Sequence, residues 1–471
     1  METLARAANR GSIATGAGYE IDNSFVQEYN STRRVSMYYG GFGGSAPTNT
    51  KATISFWFKW AGLNGGGANW KMIDTQNSQF GVMPEGGTYD SAIYCAGQNE
   101  SLFKLVSTAK FRDTSAWYHM CAVFDSTLST ASDRVKIYVN GVRVTDFTTA
   151  NYPAQNASFR HIGENTTHHV GHDVNIGKPY AYYADMYYIF DQAKDVTDFG
   201  EFDEDTGIWK PIEYTGTFGS YGYYWDFSNA SNYAEDQSGT ASGTSQMTEQ
   251  SLSTTTAMQA TDTPTNNFAT LNPLVTYYGS ATINEGATKI QGTSTSSFET
   301  VYSTMAVTSG KWYFEIVNLL GSTRNTIFGI VNLDTATFDG TAYNSAGFWL
   351  GNMDTGGQIY YYENGVATGN ESITFSQGDI IGIAFDADNG TLDFYLNNSN
   401  QEQFTGIPSG TFAFIVEVQG TGAPYIQANF GGYTTISISS AVSDANGYGT
   451  FEYAPPSGYY AMCTKNLSEF G

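Results

Sequence analysis

Residues 133–144 read DRVKIYVNGVRV, and this stretch decides the fold. Its valine and isoleucine side chains alternate with polar or amphipathic ones, which is the period of a β-strand with one buried face. Asn140-Gly141 then separates this run from a second, shorter one. Because both central residues of a type I′ turn need a positive φ, Asn-Gly at this position is a strong hairpin signal. The stretch therefore predicts a β-hairpin.

The same pattern recurs in the second half of the chain. Asn364-Gly365 follows the aromatic run 360–362, and residues 380–396 turn at Asn389-Gly390. No stretch carries a sustained period of 3.6 residues, so the sequence predicts an all-β fold. The residues expected to pair inward across the last hairpin are Ile381, Ile383 and Phe385 on one strand and Leu392, Phe394 and Leu396 on the other.

Residues 52–60, ATISFWFKW, show how such a strand is expected to lie in the protein. Their alternation predicts a half-buried strand with one apolar and one mixed face. The residues on the apolar face are Ile54, Phe56, Phe58 and Trp60, and those on the mixed face are Ser55, Trp57 and Lys59.

The composition excludes several classes of protein. The chain has 471 residues, 21 basic and 45 acidic, a formal net charge of −24 and 15% aromatic residues. Disordered chains are poor in aromatic residues, so disorder is excluded for most of this one. The Lys/Arg stripes that bind nucleic acid or anionic membranes are missing. No window approaches a membrane-spanning apolar run, and the first residues lack the apolar core of a secretory signal. We therefore expect no nucleic-acid partner and no membrane insertion.

The cysteines carry little functional signal. Cys95, Cys121 and Cys463 are widely spaced and form no CxxC pair. We expect them to be small buried apolar residues.

Changes in composition divide the chain. A Ser/Thr-rich segment with few large apolar residues separates two β-rich blocks, each of the size of one β-sandwich, and is predicted to be a linker. The fold class predicted is two tandem β-sandwiches. The predicted segments are an extended N-terminal arm (1–24), a first sandwich (25–227), the linker (228–273), a second sandwich (274–452) and a C-terminal tail (453–471).

The first block carries a recognisable set of motifs. Trp117-Tyr118-His119 is followed by Asp125, by the hairpin 133–141, by Asn175-Ile176-Gly177 and by the strand 184–189. This set resembles the laminin-G/pentraxin group of concanavalin A-like jelly-roll lectins. The resemblance implies a jelly-roll sandwich with a lectin-like binding surface.

The second block carries a different set. Its motifs are SGKWYFEI (309–316), FGI (328–330), GFW (347–349), the stretch 378–386 and NFG (429–431). They resemble a SPRY-type β-sandwich, which implies a second recognition module.

Three further stretches extend the resemblance to nearly the whole chain. They are DEDTGIWKPIEYTG (203–216), DTPTNNFATLNP (262–273) and PPSGYYAMCTKNL (455–467). With the two domains, they resemble structural proteins of marine tailed bacteriophages. This resemblance implies a virion component on the exterior of the tail or capsid, such as a fibre, spike or decoration protein.

Glycoside hydrolysis is the sharpest enzymatic alternative, because concanavalin A-like folds include glucanases with alternating acidic residues on one strand. Glu201-Phe202-Asp203-Glu204-Asp205 superficially resembles that pattern. Gly200 and Thr206-Gly207 flank it and indicate a solvated turn after a short helix or loop. We therefore predict no catalytic residues.

Metal binding remains open. Three histidines and an aspartate crowd into HHVGHD, and imidazole with carboxylate suits zinc or a similar ion. The candidate ligands are His168, His169, His172 and Asp173. Ca²⁺ is a second option, but the stretch 386–390 is better explained by turn chemistry. His119 lies in an apolar strand and is expected to be a core residue.

Sugar binding needs aromatic faces on exposed loops. The candidate sugar-binding residues are Trp70, Tyr180, Tyr182, Tyr183 and Tyr343, whereas Trp57, Trp312 and Trp349 are expected in the core.

The function implied is that of a non-enzymatic bacteriophage virion structural protein on the particle exterior. Its expected partners are host surface glycans, other virion proteins and further copies of itself, with a trimer favoured by analogy with fibres. The alternatives are a capsid decoration without glycan affinity and a polysaccharide depolymerase.

Overall fold

The segments with alternating apolar residues form β-strands, and these strands assemble into two pairs of β-sheets, one pair in each half of the chain. The computed structural model describes residues 18–27, 34–38, 49–63, 72–74, 78–83, 90–97, 99–159, 167–170, 180–240, 246–250, 258–275, 281–294, 297–318, 325–336, 347–352, 358–363, 366–374, 376–420 and 425–471. The chain divides at Thr265 into two compact units, Ala14–Thr265 and Asn266–Gly471. The predicted fold class, all-β with two tandem β-sandwiches, is confirmed.

The first unit contains, in its described ranges, eighteen strands and two short 3₁₀ helices, Ala131–Asp133 and Val196–Asp198. The strands are β1 (Ser24–Gln27), β2 (Arg34–Tyr38), β3 (Lys51–Gly62), β4 (Ile73–Asp74), β5 (Gln79–Val82), β6 (Ala92–Gly97), β7 (Phe103–Lys110), β8 (Tyr118–Asp125), β9 (Val135–Val139), β10 (Val142–Val144), β11 (Phe147–Asn151), β12 (Thr167–Val170), β13 (Tyr180–Phe190), β14 (Gly200–Phe202), β15 (Trp209–Pro211), β16 (Tyr223–Trp225), β17 (Gln246–Gln250) and β18 (Gln259–Ala260).

These strands form two antiparallel sheets and a small ribbon. The first sheet has the order β10-β9-β8-β3-β13-β1-β18, with β16 also paired to β13. The second has the order β11-β7-β6-β5-β4-β12-β2-β17, and β14 pairs with β15 alone. Aromatic rings join the two sheets: Phe56 of β3 meets Phe80 of β5 edge-on, with 5.7 Å between ring centroids.

The hairpin predicted from residues 133–144 is confirmed. Val139 of β9 pairs with Val142 of β10. Asn140 has φ +46° and Gly141 has φ +76°, the two positive values that a type I′ turn requires.

Strand β3 differs from its prediction, because both of its faces are buried. Lys59 is fully buried, although it was expected on a partly solvated face, and Trp57 beside it is 4% exposed, as expected of a core residue. Three segments lie over this face of the first sheet, and we call them the outer cover: residues 19–23, 195–218 and 261–265. Their contacts with the sheet include the Trp209–His119 and Lys59–Asp262 pairs. Alternation alone could not predict a cover supplied by residues far away in the sequence.

The second unit contains, in its described ranges, fourteen strands and one α-helix, α1 (Thr464–Phe470). The strands are β19 (Thr282–Asn284), β20 (Lys289–Gln291), β21 (Glu299–Val307), β22 (Lys311–Asn318), β23 (Asn325–Asn332), β24 (Gly347–Asn352), β25 (Gln358–Glu363), β26 (Val366–Thr374), β27 (Ile380–Asp386), β28 (Thr391–Leu396), β29 (Ser399–Thr405), β30 (Phe412–Gln419), β31 (Tyr425–Asn429) and β32 (Tyr460–Ala461).

These strands again form two sheets. One has the order β19-β20-β31-β22-β27-β28-β29, with β32 added in parallel to β22, and the other has the order β21-β30-β23-β24-β25-β26. The core lies between them: the rings of Phe314 (β22) and Phe414 (β30) have centroids 4.0 Å apart. Trp312 is fully buried, as predicted.

The hairpin of β27 and β28 confirms the predicted inward pairs. Its loop is longer than a type I′ turn: Asp386 pairs with Thr391, and four residues lie between them. The Asp386 carboxylate accepts hydrogen bonds from the Asn389 N–H and from Lys311 Nζ, 2.8 Å away. Turn chemistry therefore explains this loop, as the sequence indicated. The predicted pairs observed are Ile381–Leu396, Ile383–Phe394 and Phe385–Leu392.

The segment predicted to be a linker is buried at its end. Phe268 and Leu271 are each 1% exposed, and the Ala269 N–H donates to the Met462 carbonyl. Thr and Asn side chains make this possible: Thr464 Oγ1 accepts from the Asn267 backbone N–H, and Asn266 Oδ1 accepts from the Lys465 backbone N–H. The unit therefore begins eight residues before the predicted boundary at 274. The Ser/Thr-rich composition correctly indicated that the segment has few large apolar residues. Its polar residues are nevertheless buried, because hydrogen bonds to the second unit replace those to water.

The predicted C-terminal tail is likewise part of the second unit. It contributes β32 and α1, and Met462 and Cys463 are fully buried. Cys95 and Cys121 are buried in the first unit, so all three thiols are free and buried, as predicted. No helix in the described ranges has the length and apolar composition needed to cross a membrane.

Candidate functional site

The tyrosines predicted to contact sugar lie in the interior. Tyr180, Tyr182 and Tyr183 belong to β13 and are at most 3% exposed. The prediction placed them on an exposed loop, but the strand begins at Tyr180 and both of its faces are covered. A buried ring cannot stack on a sugar, so these three residues are not part of the candidate site. Trp70 and Tyr343 lie outside the described residues.

The predicted metal ligands do not converge where they are described. His168 and His169 are consecutive residues of β12, both buried, and consecutive side chains of a strand point to opposite faces. The His168 ring packs edge-on against Tyr188. His172 and Asp173 lie outside the described residues. Among the described ranges, no group of three or more His, Cys, Asp or Glu side chains is placed to hold a metal ion.

The acidic run 201–205 forms a turn and two ion pairs. Asp203 Oδ1 accepts hydrogen bonds from the Thr206 N–H and hydroxyl, each at 2.9 Å. Lys210 Nζ lies 3.2 Å from Glu201 and 3.3 Å from Asp203. These contacts give Glu201 and Asp203 a structural part in the turn and the β14–β15 ribbon.

A buried Ser–His pair deserves comparison with a catalytic dyad. His119 Nε2 lies 2.8 Å from Ser55 Oγ, and the Trp209 indole N–H donates to His119 Nδ1 at 3.0 Å. Because an indole nitrogen can only donate, Nδ1 is the acceptor and the ring proton lies on Nε2. Burial lowers the pKa of His119 to about 3, so the ring is neutral. Nε2 therefore donates to Ser55 and cannot take its proton. His119 is a satisfied core residue, as predicted.

Asp185, in the middle of β13, lies in an unusual environment for a carboxylate. The strand has an irregular register between Ala184 and Tyr187, and Asp185 has φ +50°. Positive φ at a non-glycine residue is uncommon and clusters at functional positions. The side chain is only 2% exposed.

Three tyrosine hydroxyls converge on one oxygen of this carboxylate. Asp185 Oδ1 accepts from Tyr224 at 2.7 Å, from Tyr19 at 2.8 Å and from Tyr187 at 3.0 Å. The Tyr19 and Tyr224 hydroxyls are also 2.9 Å apart. We call these four residues the Asp185 cluster.

Burial raises the pKa of Asp185 to about 6, against the lowering effect of the three tyrosine hydrogen bonds. The desolvation that disfavours the charged carboxylate is therefore larger than the stabilisation by its donors. The carboxyl group titrates close to neutral pH, which is a common property of functional sites.

The Asp185 cluster reaches the surface through half-buried rings. Tyr19 and Tyr224 are intermediate in exposure, and so is Phe218, which stacks on Tyr224 with centroids 6.4 Å apart. Tyr187 and Tyr224 are parallel, with centroids 4.4 Å apart. The arrangement combines aromatic faces with hydroxyl and carboxylate acceptors, which can bind a ligand rich in hydroxyl groups. Sequence reasoning missed this site; its one signal was an acidic residue inside the aromatic strand 180–190.

Two family models match the chain, one in each half, and agree with the two-sandwich architecture. A family model described as the concanavalin A-like lectin/glucanases superfamily, a laminin G-type model, matches residues 42–183. The SPRY domain model matches residues 311–431. Among solved structures, the chain is similar to the crystal structure of the SPRY domain of human HERC1, with 16% identity over 34% of this chain and 96% of that one and a TM-score of 0.27. The comparison with curated proteins found no match. The chain thus carries a laminin G-like, concanavalin A-like domain followed by a SPRY domain.

Proposed function

We propose that the protein is a non-enzymatic recognition protein on the exterior of a bacteriophage particle, where it binds host surface glycans. The observation that carries the proposal is the occurrence of two domains of the binding type, laminin G-like and SPRY, in one chain. The motifs that resemble phage structural proteins support the virion assignment. Other virion proteins and further copies of the chain, as a trimer, are its proposed partners.

The Asp185 cluster is the proposed point of glycan contact. Sugar hydroxyls can donate to the lone pairs of the Tyr19 and Tyr224 hydroxyls, whose own protons are committed to Asp185. The half-buried Phe218 ring offers an apolar face next to them. This combination of a stacking surface and fixed acceptors supports a binding role.

Glycan binding can be measured with the full chain on an array of bacterial surface polysaccharides. We expect Tyr224→Phe to weaken binding by about 3- to 10-fold, the effect of one lost hydrogen bond. Tyr214→Phe is the matched control, because the Tyr214 ring lies in the same aromatic group but its hydroxyl donates to the Thr217 carbonyl. Equal losses in both variants would remove the Asp185 cluster from the proposal.

The competing functions give different results. Binding to no glycan, with the protein still found on labelled particles by electron microscopy, would favour a capsid decoration. Release of reducing sugar, abolished in the Glu201→Gln/Asp203→Asn double variant, would favour a depolymerase. Failure to find the protein on any particle would contradict the virion assignment.

A further inference from the structure

One ion pair of the first unit is completely withdrawn from solvent. Lys59 Nζ of β3 lies 2.7 Å from Asp262 Oδ2 of the outer cover, and the two side chains are 0% and 1% exposed. The residues are 203 positions apart in the sequence. A second hydrogen bond from the Ser24 hydroxyl to the Asp262 carbonyl fixes the backbone at this point.

The surroundings of the pair are aromatic. The Trp117 indole N–H donates to Asp262 Oδ1 at 3.0 Å, so each carboxylate oxygen has its own donor. The Tyr182 ring lies 5.7 Å from Lys59 Nζ and packs edge-on against Trp117. Charges are costly in such a medium even when they are paired.

Burial also favours the neutral form of the lysine. It lowers the pKa of the Lys59 ammonium, against the opposing effect of the Asp262 and Asp113 carboxylates. A proton passed from Nζ to the Asp262 carboxylate leaves a neutral amine beside a carboxylic acid. A neutral amine is a nucleophile and a carboxylic acid is its electrophile, whereas the ion pair is neither.

We propose that Lys59 and Asp262 condense into an intramolecular isopeptide bond. The Nζ lone pair attacks Asp262 Cγ, and the negative charge that develops on Oδ1 is stabilised by the Trp117 N–H. The Cγ–Oδ2 bond then breaks, and Oδ2 leaves as water with the proton it received from the ammonium and one further proton from Nζ. The remaining Nζ proton stays on the amide. The reaction needs no oxidant, cofactor or other protein, and it replaces two buried charges by one neutral amide.

The test is the intact mass of the full-length wild-type chain, measured under denaturing and reducing conditions. We expect a mass lower than that of the sequence by one water molecule. Peptide sequencing by tandem mass spectrometry should identify a branched peptide joining Lys59 to Asp262, with no tryptic cleavage after Lys59. The full sequence mass in the wild-type protein would overturn the proposal, and this measurement does not depend on how any variant folds.

Three variants separate the proposed bond from other losses of water. Lys59→Arg keeps the charge but should restore the full mass. Asp262→Asn should lose ammonia instead of water and so give a product of the same mass as the wild type. Lys311→Arg is the matched control, because Lys311 lies 2.8 Å from Asp386 but is 37% exposed, and it should leave the mass deficit unchanged. A deficit that persists in Lys59→Arg would overturn the proposal.

Discussion

At the scale of single residues, the first unit keeps an acid in its interior at a position where charge is disfavoured. Asp185 is held by three tyrosine hydroxyls, yet burial raises its pKa to about 6 from the ordinary value of 3.8. The native protein therefore holds this proton to a higher pH than the unfolded chain does. The stability that Asp185 contributes is complete below about pH 4 and is lost as the pH rises toward 6.

Asp185→Asn should remove this pH dependence. The shift corresponds to about 3 kcal/mol of free energy of unfolding between pH 4 and pH 7. We expect the wild type to lose roughly that amount over this range and the asparagine variant to lose much less. Denaturant unfolding monitored by tryptophan fluorescence measures the difference. Tyr19→Phe removes a hydrogen bond that lowers the Asp185 pKa, so it should steepen the loss; an unchanged slope in both variants would contradict the argument.

The sequence predicted the burial of single residues correctly where that burial depends on residues nearby in the chain. The burial of His119 follows from its apolar strand, and that of the cysteines from their lack of a partner motif. The prediction failed for Lys59 and Tyr182, which alternation or loop position placed near solvent. The burial of Lys59 depends on Asp262 of the outer cover, 203 positions away in the sequence. Tyr182 packs against Trp117, which is also distant in the sequence. Asp185 was missed for the same reason, because its donors Tyr19 and Tyr224 are distant in sequence.

At the scale of elements, the turn of the β9–β10 hairpin packs closely against the β14–β15 ribbon. A Cβ atom on Gly141, at the tip of the β9–β10 hairpin, would overlap the Trp209 ring of β15. Gly207 has a similar φ of +68°, but a Cβ there would meet nothing within 4 Å.

The two glycines therefore allow a matched test. Gly207→Ala should cost only the backbone strain of a left-handed residue, about 1–2 kcal/mol. Gly141→Ala should cost more, because it adds the displacement of Trp209 to the same strain. Thermal unfolding of the two variants measures this difference. Equal destabilisation would mean that Trp209 moves freely and that the hairpin tip is not packed against it.

Strand pairing was the element-scale feature most readable from sequence. The inward-facing residues of β27 and β28 were predicted from their alternating apolar pattern, and the observed register pairs them across a loop of four residues. The β14–β15 ribbon and α1 were not predicted, because they are short and lack a periodic pattern.

At the scale of the whole molecule, the start of the second unit decides whether it can fold alone. A chain of residues 266–471 should fold cooperatively, whereas a chain of residues 274–471 should be unstable and aggregate. The shorter chain lacks Phe268 and Leu271, each 1% exposed, and the hydrogen bond from the Ala269 N–H to Met462. Soluble yield and calorimetry of the two chains provide the test. Equal stability would show that the segment 266–273 is dispensable.

The whole chain should be more stable in mild acid than at pH 8. Burial raises the pKa of Glu417 in the second unit to about 8 from the ordinary value of 4.5, so its contribution is lost as the pH rises between these values. Asp185 acts in the same direction in the first unit. Acids with lowered pKa, such as Asp203 and Glu452, lie near the surface, where salt screens their effect.

Calorimetry between pH 5 and pH 8 measures this trend. We expect higher unfolding temperatures at pH 5, with Glu417→Gln flattening the response of the second unit only. The net charge of −24 adds to the trend, since protonation reduces repulsion within the chain. Rising stability with pH would contradict the predicted role of the two buried acids.

The burial of Cys95, Cys121 and Cys463 gives the molecule an internal reporter of opening. Burial raises the pKa of all three thiols, to about 12 for Cys463. A maleimide reagent should therefore not react with them in the folded state. A single cysteine introduced at an exposed position would then be labelled selectively, without replacing the native ones. Slow alkylation of the native thiols would instead time how often each unit opens, with two probes in the first unit and one in the second.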